Sequence, residues 1–178
     1  MGESGHALDL RDAILGAWRT SSRVTSFLVE QVQAPLWDAA IPGAPQRTVR
    51  MVLAHLHNSR RAWIRTLGSE HGVAVPAAVD RRSVTRRALL AALQRSATGI
   101  ESVLTLGLDS GGTVPPSKAY VWRNLPLDVA HVLAYFAAHE AHHRGQIVLV
   151  ARQLGKRLPA SVTAGLWQFR TFAREPVR

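Results

Sequence analysis

The sequence predicts an all-α chain, a four-helix bundle with a short extra helix at its C-terminal end, and three observations carry that expectation. Apolar residues recur at helical spacing over four long stretches, no segment sustains the alternation of a strand, and Pro- or Gly-bearing connections separate the stretches. The 178 residues suit a single domain over residues 1–178. A chain of this size buries roughly 70% of its unfolded surface, enough for a sizeable core.

The first helix is expected from Leu8 to Gln33, with Leu10, Ile14, Trp18, Val24, Leu28 and Val32 on one face and Pro35 as its stop. Residues Pro35 to Pro45 read as a loop. Thr48 is the N-cap of a second helix ending at Leu67–Gly68, and Glu70 to Arg82 is a loop containing Pro76. Ser83 is the expected cap of a third helix reaching about Leu106. Gly107 to Asn124 forms a long connection, a length often associated with function. The fourth helix is expected to begin near Pro126 and to end at Gly155, and the short final helix to cover Ser161 to Ala173.

Composition excludes several chemistries. Cysteine is absent, so a disulfide framework, a thiolate metal site and a cysteine nucleophile are all ruled out, and any metal rests on His, Asp or Glu. Met1 to His6 has neither a basic nor an apolar signal region, and no apolar run approaches about 18 residues, so a cytoplasmic, soluble chain is expected with no membrane partner. The net charge of +10 comes from arginines scattered along the chain, since only Lys118 and Lys156 are lysines. Without a helix-turn-helix cue or a basic tail, a solvated basic surface is favoured over a nucleic-acid site.

The run His139-Glu140-Ala141-His142-His143 organises the reading, because it places three of the eight histidines within five positions of an apolar helix. His139 and His143 project from one face about a turn apart, in a stripe of Val129, Val132, Phe136, Ile147, Val150 and Leu154. His142 lies about 100° round from His143, and His131 also falls off the stripe. One metal ion would satisfy both stripe imidazoles at once. For a third ligand the second helix offers His55 and His57. His55 falls roughly 70° from the centre of that helix's inward face and His57 roughly 130°, so His55 is the better ligand and His57 a surface residue.

The run also matches the H-E-x-x-H pattern of zinc peptidases, with Glu140 activating water. Gln146 and Leu149 stand where the longer metzincin pattern needs Gly and His, and Glu175 is the one Glu further downstream. Glu140 itself points about 100° away from His139, towards a surface or packing role.

Three segments carry a family resemblance. Val52-Leu53-Ala54-His55-Leu56-His57-Asn58-Ser59-Arg60-Arg61-Ala62-Trp63, His139 to Ile147 with its H-x-x-x-H-R-G-Q pattern, and Gly165-Leu166-Trp167-Gln168-Phe169-Arg170 resemble signatures of the DinB/YfiT-like superfamily. The first helix and the Gly107 to Asn124 connection carry no matching signature. The resemblance implies a four-helix bundle with a three-histidine metal site, here His55, His139 and His143, and a homodimer. It implies a divalent metal, Zn or Ni, both of which suit imidazole. It further implies a small-molecule substrate, a low-molecular-weight thiol among them, in an S-transferase, while the hydroxide that a three-histidine zinc can generate fits a hydrolase equally. Arg60, Trp63, Arg123 and Arg144 are the candidate substrate-binding residues. The competing reading is a DNA-damage or stress-associated binding protein with a basic surface and a structural histidine cluster.

Overall fold

A computed structural model describes residues 9–174; Leu8 and Glu175 lie outside the described residues. Four long helices carry the fold: α1 (Leu10–Gln31), α3 (Val49–Leu67), α4 (Arg86–Asp109) and α5 (Val129–Gln153). Between α1 and α3 lie a single helical turn, α2 (Ala34–Trp37), and a two-stranded antiparallel ribbon of β1 (Ala40–Ile41) and β2 (Ala44–Thr48). Two short helices, α6 (Ala160–Gly165) and α7 (Phe169–Arg174), close the described chain. Among the described residues, no helix is long and apolar enough to cross a membrane.

Each long helix starts on a side chain that accepts a hydrogen bond from an otherwise unpaired first-turn amide. Asp9 accepts from Asp12 N, Thr48 from Met51 N, Thr85 from Ala88 N and Asp128 from His131 N, at 3.1, 3.3, 3.2 and 3.1 Å. Such caps are typically worth about 1 kcal/mol each. Two starts differ from expectation. Ser83 does not cap α4, because its hydroxyl donates to Asp80 at 2.6 Å in the preceding turn. Pro126 precedes α5 rather than opening it: Val114 N donates to the Leu127 carbonyl and Val129 N to the Gly112 carbonyl, which hold this segment extended until Asp128 caps the helix.

Three further boundaries are corrected. α1 stops at Gln31 because Val32 is already extended ahead of Pro35, which then sits in the first turn of α2. The expected loop up to Pro45 contains α2 and the ribbon, whose turn uses Gly43 at φ 77. The final helix is two, broken at Leu166–Gln168, and leaves Trp167 81% exposed.

Two apolar clusters fill the bundle. One gathers Leu28, Val32, Val49, Leu53, Leu56, Leu89, Leu93, Ile147 and Val150; the other gathers Trp18, Ile64, Leu67, Ile100, Leu104, Val132 and Phe136. The start of α3 therefore packs with the end of α5, and the two helices run antiparallel. Between the clusters every long helix contributes a buried polar residue: Ser21 and Thr25 from α1, His57 and Arg60 from α3, Ser96 from α4, Glu140 and Arg144 from α5.

This polar layer corrects the expected stripe of α5. Its buried residues are Val129, Val132, Phe136, Glu140, Arg144, Ile147, Val150 and Ala151, so Glu140 and Arg144 occupy the core positions and His139 and His143 flank them, half-buried. Arg60 Nε donates to Glu140 Oε1 at 2.5 Å, its Nη2 meets the same oxygen, and its Nη1 donates to the Leu93 carbonyl at 3.0 Å. The guanidinium stands 4.9 Å from the Trp18 ring centroid, within cation–π range. Thr25 Oγ1 donates to Glu140 Oε2 at 2.6 Å and accepts from Arg144 Nη1 at 2.8 Å. Arg60 and Glu140 are each 1% exposed, which is tolerable only because each neutralises the other.

Replacing Glu140 by Ala strands two buried guanidiniums. The expected loss is about 3–5 kcal/mol of unfolding free energy, read from urea denaturation. A loss below about 1 kcal/mol would mean that water reaches the network, as it does for surface ion pairs.

Candidate metal centre

α3 supplies His55 and α5 supplies His139 and His143, each half-buried at the seam between the two antiparallel helices. The ring centroids lie 5.4 Å apart for His55 and His139, 5.0 Å for His55 and His143, and 4.7 Å for His139 and His143. One nitrogen from each ring falls within 4.8 Å of the other two, close enough for one cation to engage all three. The i, i+4 spacing aligns the α5 pair, and the Arg60–Glu140 contact one position further on sets α3 at the matching height.

The donor set fits a transition-metal ion. The His143 Nδ1–H donates to Gln146 Oε1 at 3.0 Å, which leaves Nε2 as the lone-pair nitrogen and fixes the ring. The ring plane of Tyr135 lies within 12° of that of His139 at a centroid distance of 6.1 Å. The Tyr135 hydroxyl in turn accepts from Trp63 Nε1 at 3.0 Å. Burial first, and then the positive charge of neighbouring imidazoles, lowers the pKa of His139 to about 4. Burial likewise lowers His55, helped by charge on His143, Arg81 and Arg47, and it lowers His143 against an opposing hydrogen bond from Gln146. All three rings therefore offer neutral lone pairs at pH 7.

The remaining sequence candidates fall elsewhere. His57, expected at the surface, is fully buried: Nε2–H donates to the Ala77 carbonyl at 2.8 Å and Nδ1 pairs with the Ser96 hydroxyl at 3.1 Å. The wheel missed it because the segment after α3 folds back over that side of the helix. His142 is exposed and outside the cluster, its ring 4.9 Å from that of His143. Of Arg60 and Arg144, expected to face a substrate, Arg60 is held in the core by Glu140, and Arg144 is held by Thr25 and the Ser21 carbonyl with Glu140 3.8 Å away. Trp63 reaches the histidines only through Tyr135, and Arg123 is exposed in the long connection at φ 47. Glu140 cannot serve as the water-activating base of a peptidase, because both its oxygens are held by Arg60 and Thr25.

Tyr135 and Gln146 are the site residues that sequence reasoning did not single out. Each stands at helical spacing from a ligand candidate, four before His139 and three after His143, so the signal was present.

The depressed imidazoles make the metal-free protein sensitive to acid. An unfolded imidazole takes its proton near pH 6.5, whereas folded His139 holds out to about 4. Over that window the unfolded chain binds more protons, so stability falls as pH falls from 6.5 towards 4. Thermal melts of metal-free protein between pH 7 and 5 are expected to show that loss, and His139→Gln is expected to shrink it. Equal slopes in both proteins would show that His139 titrates normally.

A search of the curated proteins and one of the solved structures each return no match. The model of the DinB family matches residues 4–168, which takes in all four long helices and the three converging histidines. The chain therefore belongs to the DinB family.

Proposed function

We propose that His55, His139 and His143 together hold one divalent ion, zinc or nickel, and that the protein is a metal-dependent enzyme acting on a small molecule. The observation that carries this reading is the convergence of three half-buried, neutral imidazoles from two helices within 4.8 Å. Three protein ligands leave an open position, the arrangement of catalytic rather than structural zinc sites. The ion would supply Lewis acidity, lowering the pKa of a bound water or thiol into the neutral range.

Of the two reactions open to such a site, transfer to or from a small thiol is the first reading and hydrolysis the second. The chain has no cysteine, so a sulfur nucleophile arrives with the substrate. Arg47 and Arg81 both lie near enough to His55 to lower its pKa by their charge, which favours a substrate carrying an anionic group. Gln146 holds the His143 tautomer, and Tyr135, bonded by Trp63, lies parallel to the His139 ring.

Protein purified without a polyhistidine tag is expected to carry about one zinc or nickel per chain by elemental analysis. Single replacement of His55, His139 or His143 by Ala should remove most of it, and Gln146→Ala should weaken affinity about 10–100-fold. A wild type that stays metal-free after equilibration with both ions, or three alanine variants that bind as well as wild type, would overturn the assignment. Loaded protein with a panel of small thiols and an electrophile should then form the thioether, whereas ester or amide cleavage without thiol would select the hydrolase.

A further inference from the structure

On the side of α5 away from the histidines, α1, α5 and α7 border a groove of about 980 Å³. Its α5 wall of Ala134, Ala137 and Ala141 points roughly half a turn away from His139. Gly16 and Ala17 make the facing wall on α1, so the groove is narrow-walled and apolar. Three polar residues stand towards one end of it: Thr20, whose hydroxyl donates to the Gly16 carbonyl at 2.8 Å, and two with polar atoms to spare. Arg144, 8% exposed, lines it, as does Ser21, 3% exposed, whose hydroxyl has no hydrogen-bond partner.

The buried network leaves a positive charge over. Arg60 and Arg144 face a single carboxylate, Glu140, and Glu140 sits much closer to Arg60. Arg144 donates through Nη1 alone, to Thr25 and the Ser21 carbonyl; its Nε and Nη2 make no hydrogen bond to the described residues. These donors are not sealed off in the core, and a guanidinium that lines the groove with donors to spare suits an anion. Arg170 adds a second positive group at the rim. Asp12 lines the groove at the other end of α1's wall, about 13 Å along the helix from Ser21 by the helical rise, where it repels an anion.

We propose that this groove binds an amphipathic carboxylic acid, its carboxylate on Arg144 and Ser21 and its acyl chain lying along the alanine wall towards Asp12. The charge asymmetry fixes the direction of the ligand, and the alanine wall, faced by a Thr20 hydroxyl already bonded to Gly16, selects a hydrocarbon body. The groove shares no side chain with the three histidines, so metal loading and acid binding are separate properties.

Calorimetric titration of the full chain with decanoate tests this, with decanol as the uncharged counterpart. The expected result is saturable binding of one decanoate per chain with a Kd of about 1 mM or tighter, and decanol weaker by at least about tenfold. Arg144→Gln should weaken decanoate by a similar factor. Because that variant disturbs the core, Ala134→Trp is the second test: it fills the groove from an exposed position, should abolish decanoate binding, and should leave metal content unchanged. Absence of saturable binding, equal affinity for decanol, or an Ala134→Trp variant that binds decanoate like wild type overturns the proposal. A concentration-dependent dimer that Ala134→Trp dissociates while decanoate binding is absent would give the groove to a second copy of the chain, and that too overturns it.

Discussion

The contact on which the rest of the structure depends is the buried pair of Arg60 and Glu140. It joins α3 to α5 at the polar level between the two apolar clusters, and through Thr25, Leu93 and Trp18 it reaches α1 and α4 as well. Apolar clusters tolerate sliding, since one leucine replaces another at similar energy. A charged pair does not. Slipping α5 by one turn against α3, about 5.4 Å, would set either Phe136 or Arg144 opposite Arg60. The first leaves a buried charge without a partner and the second opposes two cations, so register is specified by two side chains. His55 lies five residues before Arg60 while His139 and His143 bracket Glu140, so the same register brings the three imidazoles level.

The helices were legible because their signals are local. Thr48 and Gly68 mark the ends of α3, Gly155 follows α5 with a positive φ of 67, and the Pro35 break is visible as text. The ribbon was not legible, since a two-residue strand has no room to alternate. The break in the last helix follows no proline.

The site was legible in its members and misread in its setting. His55, His139 and His143 could be found from spacing and wheel position, but the stripe on α5 was assigned to the apolar residues and the histidines between them. Hydropathy assigns Glu140 and Arg144 to solvent, and only long-range partners offset their burial, Arg60 for Glu140 and Thr25 with the Ser21 carbonyl for Arg144. His57 was misplaced for a related reason: its partners, Ala77 and Ser96, lie 20 and 39 residues away, beyond any local pattern.

α5 thus presents three chemistries on one rod: imidazoles towards α3, an ion pair in the core and alanines towards the groove. The division decides the charge of the proposed metal site. Glu140 is the acidic residue closest in sequence to the ligand candidates, and its binding to Arg60 and Thr25 withholds it from them. Three neutral imidazoles leave the full charge of a divalent ion in place, where a carboxylate or thiolate ligand would offset part of it. With Arg47 and Arg81 nearby and a chain charge of +10, the field at the open position attracts anions. Under the proposed function, a thiol would lose its proton more readily in such a field, and an anionic substrate would be concentrated there. By withholding Glu140, the core salt bridge would thus keep the proposed metal site electrophilic, although neither of its residues belongs to the three-histidine cluster.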